Sequence, residues 1–337
     1  MDGASVSCAG ATKSEIVDPA TGRASRTVEL GGADVVDKAV ASAQSAAETW
    51  ASTPTPVRAT ILLAFRALLL EHTEELASII TAEQGKTLAD ARGEVARSVE
   101  AVEVATSAVQ QLKGEFAEQV SRGVDTYSFR QPLGVCAGIT PFNFPVMVPV
   151  SMFAAAIACG NSFVLKPSEK VPSASGALDT AADQGGTVVV DGRKYSTGSA
   201  GNFIGPSLVD HVRTDSDLYK EEIFGPVLSV VRVDDLEEAL RVVTASPYGN
   251  GASIYTASGV AGRRFAHKVR AGSVGINVPI PVSISWFGFG GWGDSRFGDD
   301  GLNYDAYRFY TKAKVITQRW TEPRQGVAPH FVAAGSQ

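Results

Sequence analysis

The chain has 337 residues, which at about 150 residues per domain predicts two domains, each long enough to bury a core. Hydrophobic residues make up 44% and charged residues 20% of it, a balance typical of a soluble globular protein and unlike that of a disordered or fibrous one. The net charge is -6 and no basic stretch is dense, which argues against a nucleic-acid partner.

The ends of the chain and its cysteines favour a cytoplasmic location. Residues 1–14 are small and polar without an apolar core, which predicts a flexible tail and not a secretory signal. The most apolar segment, 145–159, is interrupted by Pro149 and is shorter than the roughly 20 residues of a membrane span, so we expect a buried helix. The three cysteines form no C-x-x-C pair, and the four histidines lack metal-ligand spacing, so we expect neither disulfides nor a metal site.

The first 113 residues are predicted to be mostly helical. Apolar residues recur at helical spacing over 34–50, and Pro54 and Pro56 end that helix. A second helical stretch covers 57–84, and a third, long helix covers 88–112.

The pattern then changes to short strands. Residues 126–130 alternate like an exposed strand, while 135–139 and 162–165 read as short buried strands on either side of the helix at 145–159. A strand, a helix and a strand in that order predict a βαβ unit and a parallel sheet. A Rossmann-type sheet needs several such units, so the short connection before the next strand predicts a sheet that ends early.

From residue 187 onward the pattern predicts a second α/β domain. Its expected strands are 187–190, 207–212, 227–233, 252–255 and 273–278, with helices at 236–244 and 259–269. A last strand is predicted at 308–318, and residues 321–337 form a second flexible tail.

A literal G-x-G-x-x-G occurs at 288–293. No periodic helix follows it to direct an N-terminus at a pyrophosphate, so we interpret it as an aromatic and glycine-rich loop and not as a dinucleotide fingerprint.

Four segments, in this order, together resemble the NAD(P)-dependent aldehyde dehydrogenase superfamily: Pro141-Phe-Asn-Phe-Pro145, Val164-Leu-Lys-Pro-Ser-Glu169, Glu221-Glu-Ile-Phe-Gly-Pro226 and Gly275-Ile-Asn277. Within it, segments 83–88, 132–138, 278–281 and 289–292 resemble the CoA-acylating methylmalonate-semialdehyde dehydrogenases. The resemblance runs from Ile16 to Trp320 with one large gap.

The resemblance implies an α/β fold of the aldehyde dehydrogenase kind. Its expected parts are an N-terminal helical part with an incomplete, Rossmann-type NAD-binding domain at 15–176, a partial α/β catalytic domain at 177–306, and a β oligomerisation arm at about 120–131 with a terminal strand at 307–320.

The resemblance also implies roles for particular residues. Asn143 corresponds to the amide that donates to the oxyanion, and the flanking motif favours this role over the alternative of a turn-forming asparagine beside Pro145. Lys166 and Glu169 correspond to the loop that binds the adenosine ribose of NAD, with a solvated surface turn as the alternative. Glu222 and Phe224 correspond to residues at the nicotinamide ribose and ring, and for an isolated Glu-x-Phe a surface or core role would be the alternative.

Arg97, on the long helix, corresponds to the arginine that holds the substrate carboxylate in this subgroup. It lies off the apolar stripe, so an ordinary solvated arginine is an equal alternative. The resemblance further implies an aldehyde substrate, CoA as co-substrate and association of the chain with itself.

The family's reaction needs a cysteine thiolate that attacks the aldehyde carbon before hydride passes to NAD. None of Cys8, Cys136 and Cys159 lies where the family places it, between the dinucleotide domain and the region of Thr187. The glycine-rich cofactor turn also lacks a counterpart. The flanking matches place a junction near 175–178, with a block of roughly 100–150 residues missing.

Two functions remain open. One is an NAD-dependent, CoA-acylating semialdehyde dehydrogenase, and the other is an inactive pseudoenzyme or remnant that acts, if at all, through oligomerisation. The missing nucleophile favours the second and predicts impaired NAD binding. A hydrolase or reductase using other groups has no Ser/His/Asp or Cys/His arrangement to support it.

Overall fold

The computed structural model describes residues 11–168, 187–195, 201–298 and 301–320. The chain begins there with an antiparallel hairpin of β1 (Thr12–Asp18) and β2 (Arg23–Leu30). The sequence did not predict this hairpin, because β2 is exposed along its whole length and shows no alternation of buried and exposed residues. The predicted tail boundary at residue 14 is corrected, since Thr12 already belongs to β1.

The helical region that follows agrees with the prediction except for two breaks. Its helices are α1 (Ala33–Ser52), α2 (Thr55–Glu71), α3 (Thr73–Gln84), α4 (Leu88–Thr106) and α5 (Ala108–Gln111). The stretch predicted at 57–84 is divided at His72, and the long helix predicted at 88–112 is divided at Ser107. The N-terminus of α4 is capped by Thr87, whose Oγ1 accepts a hydrogen bond from the Asp90 amide at 3.2 Å.

The predicted βαβ unit is confirmed. Strands β5 (Val135–Ile139) and β6 (Ser162–Lys166) pair in parallel, and α6 (Met147–Ala158) connects them. Helix α6 packs with α2 and α4 in one core cluster that includes Leu62, Leu69, Val99, Val102, Val150 and Ala154. Within the described ranges, β6 pairs with β5 alone.

Asn161 fixes the turn between α6 and β6. It is fully buried and donates to the carbonyl oxygens of Ala156 at 3.1 Å and Tyr310 at 2.9 Å. Its Oδ1 accepts from the Gly134 amide at 2.9 Å. The amide therefore joins the start of β5, the end of α6 and the C-terminal segment without leaving a buried polar atom unpaired.

A three-stranded antiparallel sheet contains the predicted arm and terminal strand. Its order is β14 (Thr311–Arg319), β4 (Val124–Pro132) and β3 (Phe116–Ser121). The last strand was predicted to begin at 308, but 306–309 form the short helix α10 (Ala306–Phe309). The arm and the terminal strand therefore pair with each other inside one chain.

The described part of the second α/β region contains three small sheets. The first is β7 (Thr187–Val190), β8 (Ser207–Asp210) and β9 (Val227–Ser229), with β8 and β9 parallel. The second is the parallel pair β11 (Gly251–Ile254) and β12 (Ser273–Ile276), and the third is the antiparallel pair β10 (Tyr248–Gly249) and β13 (Trp292–Gly293). The helices of this region are α7 (Asp217–Lys220), α8 (Leu236–Ala245) and α9 (Gly259–Lys268). The predicted strands all occur, although the strands that begin at residues 207, 227 and 273 end two to four residues earlier than predicted.

No single helix in the described ranges is long and apolar enough to cross a bilayer. The pair α1 and α2, bent by 118° at its break, passes that test on length and composition alone.

Candidate functional site

Two of the sequence-predicted segments lie together at the carboxyl end of the β5–β6 pair. Ile139 and Lys166 are opposite each other in the parallel register, and the Thr140 amide donates to the Lys166 carbonyl oxygen at 3.1 Å. The loop that carries Asn143 leaves β5 at this point, and the Lys166 loop leaves β6. The carboxyl edge of a parallel sheet is where α/β proteins bind ligands, so the βαβ topology alone brings these two segments to one edge.

A buried ion pair anchors the Asn143 loop. Lys86 Nζ lies 2.6 Å from Glu94 Oε2, donates to the Asn143 carbonyl oxygen at 2.9 Å and stands 4.4 Å from the centre of the Phe144 ring. The Glu94 side chain has no exposed surface, and its Oε1 accepts from the amides of Val146 at 2.8 Å and Met147 at 3.1 Å.

The Glu94 carboxylate therefore satisfies two amide donors at the start of α6, where the helix dipole favours a negative charge. The ammonium of Lys86 compensates the buried carboxylate and holds the loop by its main chain. Sequence reasoning missed this pair. The available signal was the position of Glu94, which lies beside Ala91 and Val95 on the apolar face of α4 and not on the solvated face.

A third predicted segment reaches the same loop through an aromatic contact. The Phe142 and Phe224 rings lie edge to face with centroids 5.2 Å apart. Phe224 has a positive φ of 55° and keeps 48% of its surface exposed, and Glu222 beside it is also exposed. The structure thus brings the segments of Asn143, Lys166 and Glu222–Phe224 into one region, with the Phe224 ring open to solvent.

The hydrogen bond and ion pair of Arg97 do not reach this cluster. Arg97 lies half-buried on α4 and pairs with Glu100, one turn along the same helix, at 2.8 Å. Such an i, i+3 pair is the ordinary surface arrangement that the sequence left open as the alternative. Glu169 lies outside the described residues, as do Cys8 and the predicted junction near 175–178.

The two described cysteines are poorly suited to nucleophilic attack. Cys159 ends α6 and is only 3% exposed, and burial raises the pKa of its thiol to about 12. Cys136 lies on β5, where burial also raises the pKa of its thiol above the ordinary value. Because the thiolate is the nucleophile, a raised pKa lowers reactivity at neutral pH.

Two other readings of the sequence can be compared with the structure. The glycine-rich motif at 288–293 is a loop that ends in β13, which pairs with β10, and no helix follows it in 294–298. Among the described residues, no group of three or more His, Cys, Asp or Glu side chains is arranged to hold a metal ion.

Comparison with known proteins decides the family. The family model described as "Aldehyde dehydrogenase family" matches residues 6–178 and 173–316, which together cover most of the chain. The chain belongs to the aldehyde dehydrogenase family. Its fold is therefore the α/β fold implied by the motifs.

The similar proteins fall in the subgroup that the motifs indicated. The malonate-semialdehyde dehydrogenase of Pseudomonas aeruginosa is 31% identical over 472 aligned positions, covering 94% of this chain and 95% of the relative. Malonate-semialdehyde dehydrogenase 2 of Shouchella clausii is 32% identical, covering 95% and 97%. The 472 aligned positions exceed the 337 residues of this aldehyde dehydrogenase, so more than 100 of them have no residue here.

Solved structures agree with this placement. The methylmalonate-semialdehyde dehydrogenase of Oceanimonas doudoroffii has a TM-score of 0.90 at 31% identity, covering 94% of this chain and 97% of that one. A protein of Sinorhizobium meliloti assigned as a methylmalonate-semialdehyde dehydrogenase, solved with NAD, has a TM-score of 0.92 at 31% identity, covering 96% and 98%.

Proposed function

We propose that this chain is a catalytically inactive relative of the methylmalonate-semialdehyde dehydrogenases, with an internal deletion near residues 175–178. Two facts support a deletion at that place. The alignment to the P. aeruginosa enzyme has more than 100 positions without a residue here, and the family model matches in two pieces that adjoin at 173–178. Such a block is of domain size.

The observation that carries the proposal is the state of the cysteines. Aldehyde oxidation through a covalent intermediate requires a thiolate beside the oxyanion donor. Cys136 lies on strand β5 and Cys159 directly follows helix α6 of the βαβ unit, and burial raises the pKa of both thiols, which disfavours the thiolate. Asn143 is retained on an anchored loop, yet no described cysteine accompanies it at the loop.

NAD is the cofactor that the family and the NAD-bound S. meliloti structure suggest for an intact relative. When bound, it would accept a hydride. Lys166 and Glu169 would hold the adenosine ribose and Glu222 the nicotinamide ribose, with the Phe224 ring beside the nicotinamide. Lys166 stands at the carboxyl end of β6 and the Phe224 ring is half exposed, which fits these roles. The parallel sheet described here has only two strands, so we propose that NAD binding is impaired.

The substrate side is incomplete in the same way. An aldehyde with a carboxylate, and CoA as acyl acceptor, are the substrates that the subgroup suggests. Arg97 is the residue that would hold the carboxylate, but its guanidinium is engaged by Glu100 at 2.8 Å. A second anionic partner would have to compete with that ion pair.

The alternative function is an active semialdehyde dehydrogenase, and one observation favours it. The Lys86–Glu94 pair keeps the Asn143 loop and the start of α6 in a defined arrangement, as an active site would require. If the chain is inactive, its remaining role is association with itself. The exposed apolar residues of the β14-β4-β3 sheet, among them Phe116 and Val315, and Trp320 directly after β14, are the surface for it.

The test is NADH formation by the purified full chain with malonate semialdehyde or methylmalonate semialdehyde, NAD and CoA. The P. aeruginosa malonate-semialdehyde dehydrogenase in the same buffer is the positive control. We expect no NADH above the buffer rate, and weak or undetectable NAD binding by calorimetry. Turnover that disappears in the Cys136→Ser or Cys159→Ser variant would overturn the proposal, because it would show that one of these thiols is the nucleophile.

A further inference from the structure

A cavity of about 490 Å³ lies between the β7-β8-β9 sheet and the β11–β12 pair of the second α/β region. On one side lie Ser229, Val231 and Val233 from β9 and its extension, and on the other lie Gly251 and Ala252 of β11. Helix α8, which connects the two strands, closes the cavity with residues that include Ala239, Val242 and Val243. The cavity therefore lies between two strands, with apolar residues of one helix face across it.

The main chain of the β9 side faces this cavity. The Val230 amide donates to the Val209 carbonyl oxygen at 2.9 Å, and the Val230 carbonyl oxygen accepts from the Val212 amide at 3.0 Å. Both backbone groups of Val230 therefore face the β8 side. Successive residues of a strand direct their N–H and C=O groups to opposite edges. The backbone groups of Ser229 and Val231 therefore point away from β8, and neither Val231 nor Val233 makes a backbone hydrogen bond to any described residue.

The β11 side shows the same alternation. The carbonyl oxygens of Asn250 and Ile254 accept from Ser273 and Asn277, on the β12 side, at 3.0 and 2.8 Å. Asn250 and Ile254 thus direct their backbone groups towards β12. Gly251 is the residue after Asn250, so its backbone groups point in the opposite direction, away from β12. Among the residues that the structure describes, two strand edges without a pairing partner thus border one cavity. Such edges are templates for pairing with another strand.

We infer that this cavity is a slot for one extended, mainly apolar polypeptide strand supplied by a partner, which would join the two sheets into one. A strand occupies about 160 Å³ per residue, from a 3.3 Å rise, a 4.8 Å spacing and a 10 Å sheet separation. The slot therefore accepts about three residues. Backbone groups provide the pairing, and the valines and alanines provide an apolar face, as in other cases of strand addition.

The occupant to which we commit is a strand from the block that the aligned relatives contain and this chain does not, and in this respect the inference rests on the proposed deletion. The P. aeruginosa relative aligns over 472 positions against 337 residues here, so it has ample sequence to provide such a strand. The family model matches in two pieces that overlap at 173–178, shortly before β7, the first strand of the sheet that borders the slot.

The experiment uses the full chain and overlapping synthetic peptides, each about 10 residues long, the length of a long strand. The peptides cover the part of the P. aeruginosa enzyme that has no counterpart here. We expect one peptide, or two that overlap, to bind by fluorescence polarisation. We also expect the bound peptide to slow deuterium exchange at the amides of Ser229, Val231 and Gly251.

Two variants and two controls make the test specific. Val231→Pro removes an amide that faces the slot, with Val231→Thr as its control, and Ala239→Leu fills the slot from α8, with Ala245→Leu, at an exposed position of the same helix, as its control. We expect Val231→Pro and Ala239→Leu to weaken binding at least about tenfold and both controls to bind like the parent chain.

Three results would overturn the inference: no peptide protects these amides, the peptide binds equally well to Ala239→Leu, or the amides become protected without peptide as protein concentration rises. The last result would identify a second copy of the chain as the occupant. NADH formation by the parent chain would overturn the proposed inactivity without affecting the exchange measurement, so the two failures are distinguishable.

Discussion

Lys86 and Glu94 matter more to the candidate site than the residues that the motifs single out. Their side chains are 13% and 0% exposed, and together they bond to the main chain at Asn143, Val146 and Met147. A buried pair of this kind adds little net stability over an apolar substitute, but removing one partner leaves a buried charge uncompensated. We therefore assign both residues a positioning role for the Asn143 loop.

The Lys86→Met variant tests that role. It leaves the Glu94 carboxylate buried without its cation, so we expect the free energy of unfolding to fall by about 3 kcal/mol. Urea denaturation followed by circular dichroism measures it. Lys38→Met is the matched control, because Lys38 pairs with Asp34 at 3.7 Å and both side chains are mostly exposed. This variant should leave the midpoint of urea unfolding nearly unchanged. Equal midpoints for the two variants would contradict the buried-anchor interpretation.

The sequence could predict segments but not this anchor. The Asn143 and Lys166 segments follow two strands of a βαβ unit, and topology places the ends of parallel strands together. Lys86 is 57 residues from the carbonyl that it reaches, and pairing over that distance depends on how α4 packs against α6. Motif order gives no information about packing of that kind. Two signals were available: Lys86 lies in segment 83–88, which resembles the subgroup, and Glu94 lies within an apolar stripe.

At the scale of elements, burial determined what could be predicted. Helices α1 and α6 and strands β5 and β6 carry apolar residues with a clear period or in a continuous run, and they were found close to their predicted bounds. The two strands, predicted to be buried, are only partly buried, and α1 has no fully buried residue. The β1–β2 hairpin and β3 are almost wholly exposed, so their patterns carried no signal. The sheet of β14, β4 and β3 is held instead by a nine-residue register between β14 and β4 and by polar contacts at its end.

Asp125 makes one of those contacts and gives the sheet a pH dependence. Its carboxylate accepts from the Gln119 amide at 2.9 Å and from the Trp320 indole at 2.8 Å, and these bonds hold the pKa of Asp125 below its ordinary value. A carboxyl group whose pKa is lower when folded stabilises the sheet above its unfolded pKa, and that contribution is lost as the pH falls through the lower, folded pKa. The sheet should therefore weaken only in acid.

We expect the Trp320 indole proton, followed by NMR, to shift with a midpoint below the ordinary Asp value of 3.8. In the Asp125→Asn variant that titration should be absent, because the amide does not ionise. Asp34→Asn is the control, since Asp34 lies on the exposed face of α1 and does not contact Trp320. A midpoint at or above the ordinary value would show that the two hydrogen bonds do not persist in solution.

At the scale of the whole molecule, the exposed apolar surface agrees with a missing block. Every second residue from Ile276 to Trp286 is a large apolar residue that is at least 45% exposed, and Ile139, at the carboxyl end of β5, is 79% exposed. Soluble monomers seldom expose apolar surface on this scale unless something covers it. These residues lie in the second α/β region and at the end of the two-stranded parallel sheet, which are the places where the block of the proposed deletion would pack.

Restoring the block tests whether the retained half of the site is still functional. A chimera that carries the missing segment of the P. aeruginosa enzyme at the 175–178 junction should bind NAD and form NADH from malonate semialdehyde, because Asn143, Lys166 and Glu222 already lie in one region of the fold. Its rate should exceed that of the same chimera with the inserted nucleophilic cysteine changed to alanine by at least about a hundredfold. A chimera that melts cooperatively yet forms no NADH would mean that the retained residues no longer complete a catalytic site even when the rest of it is supplied.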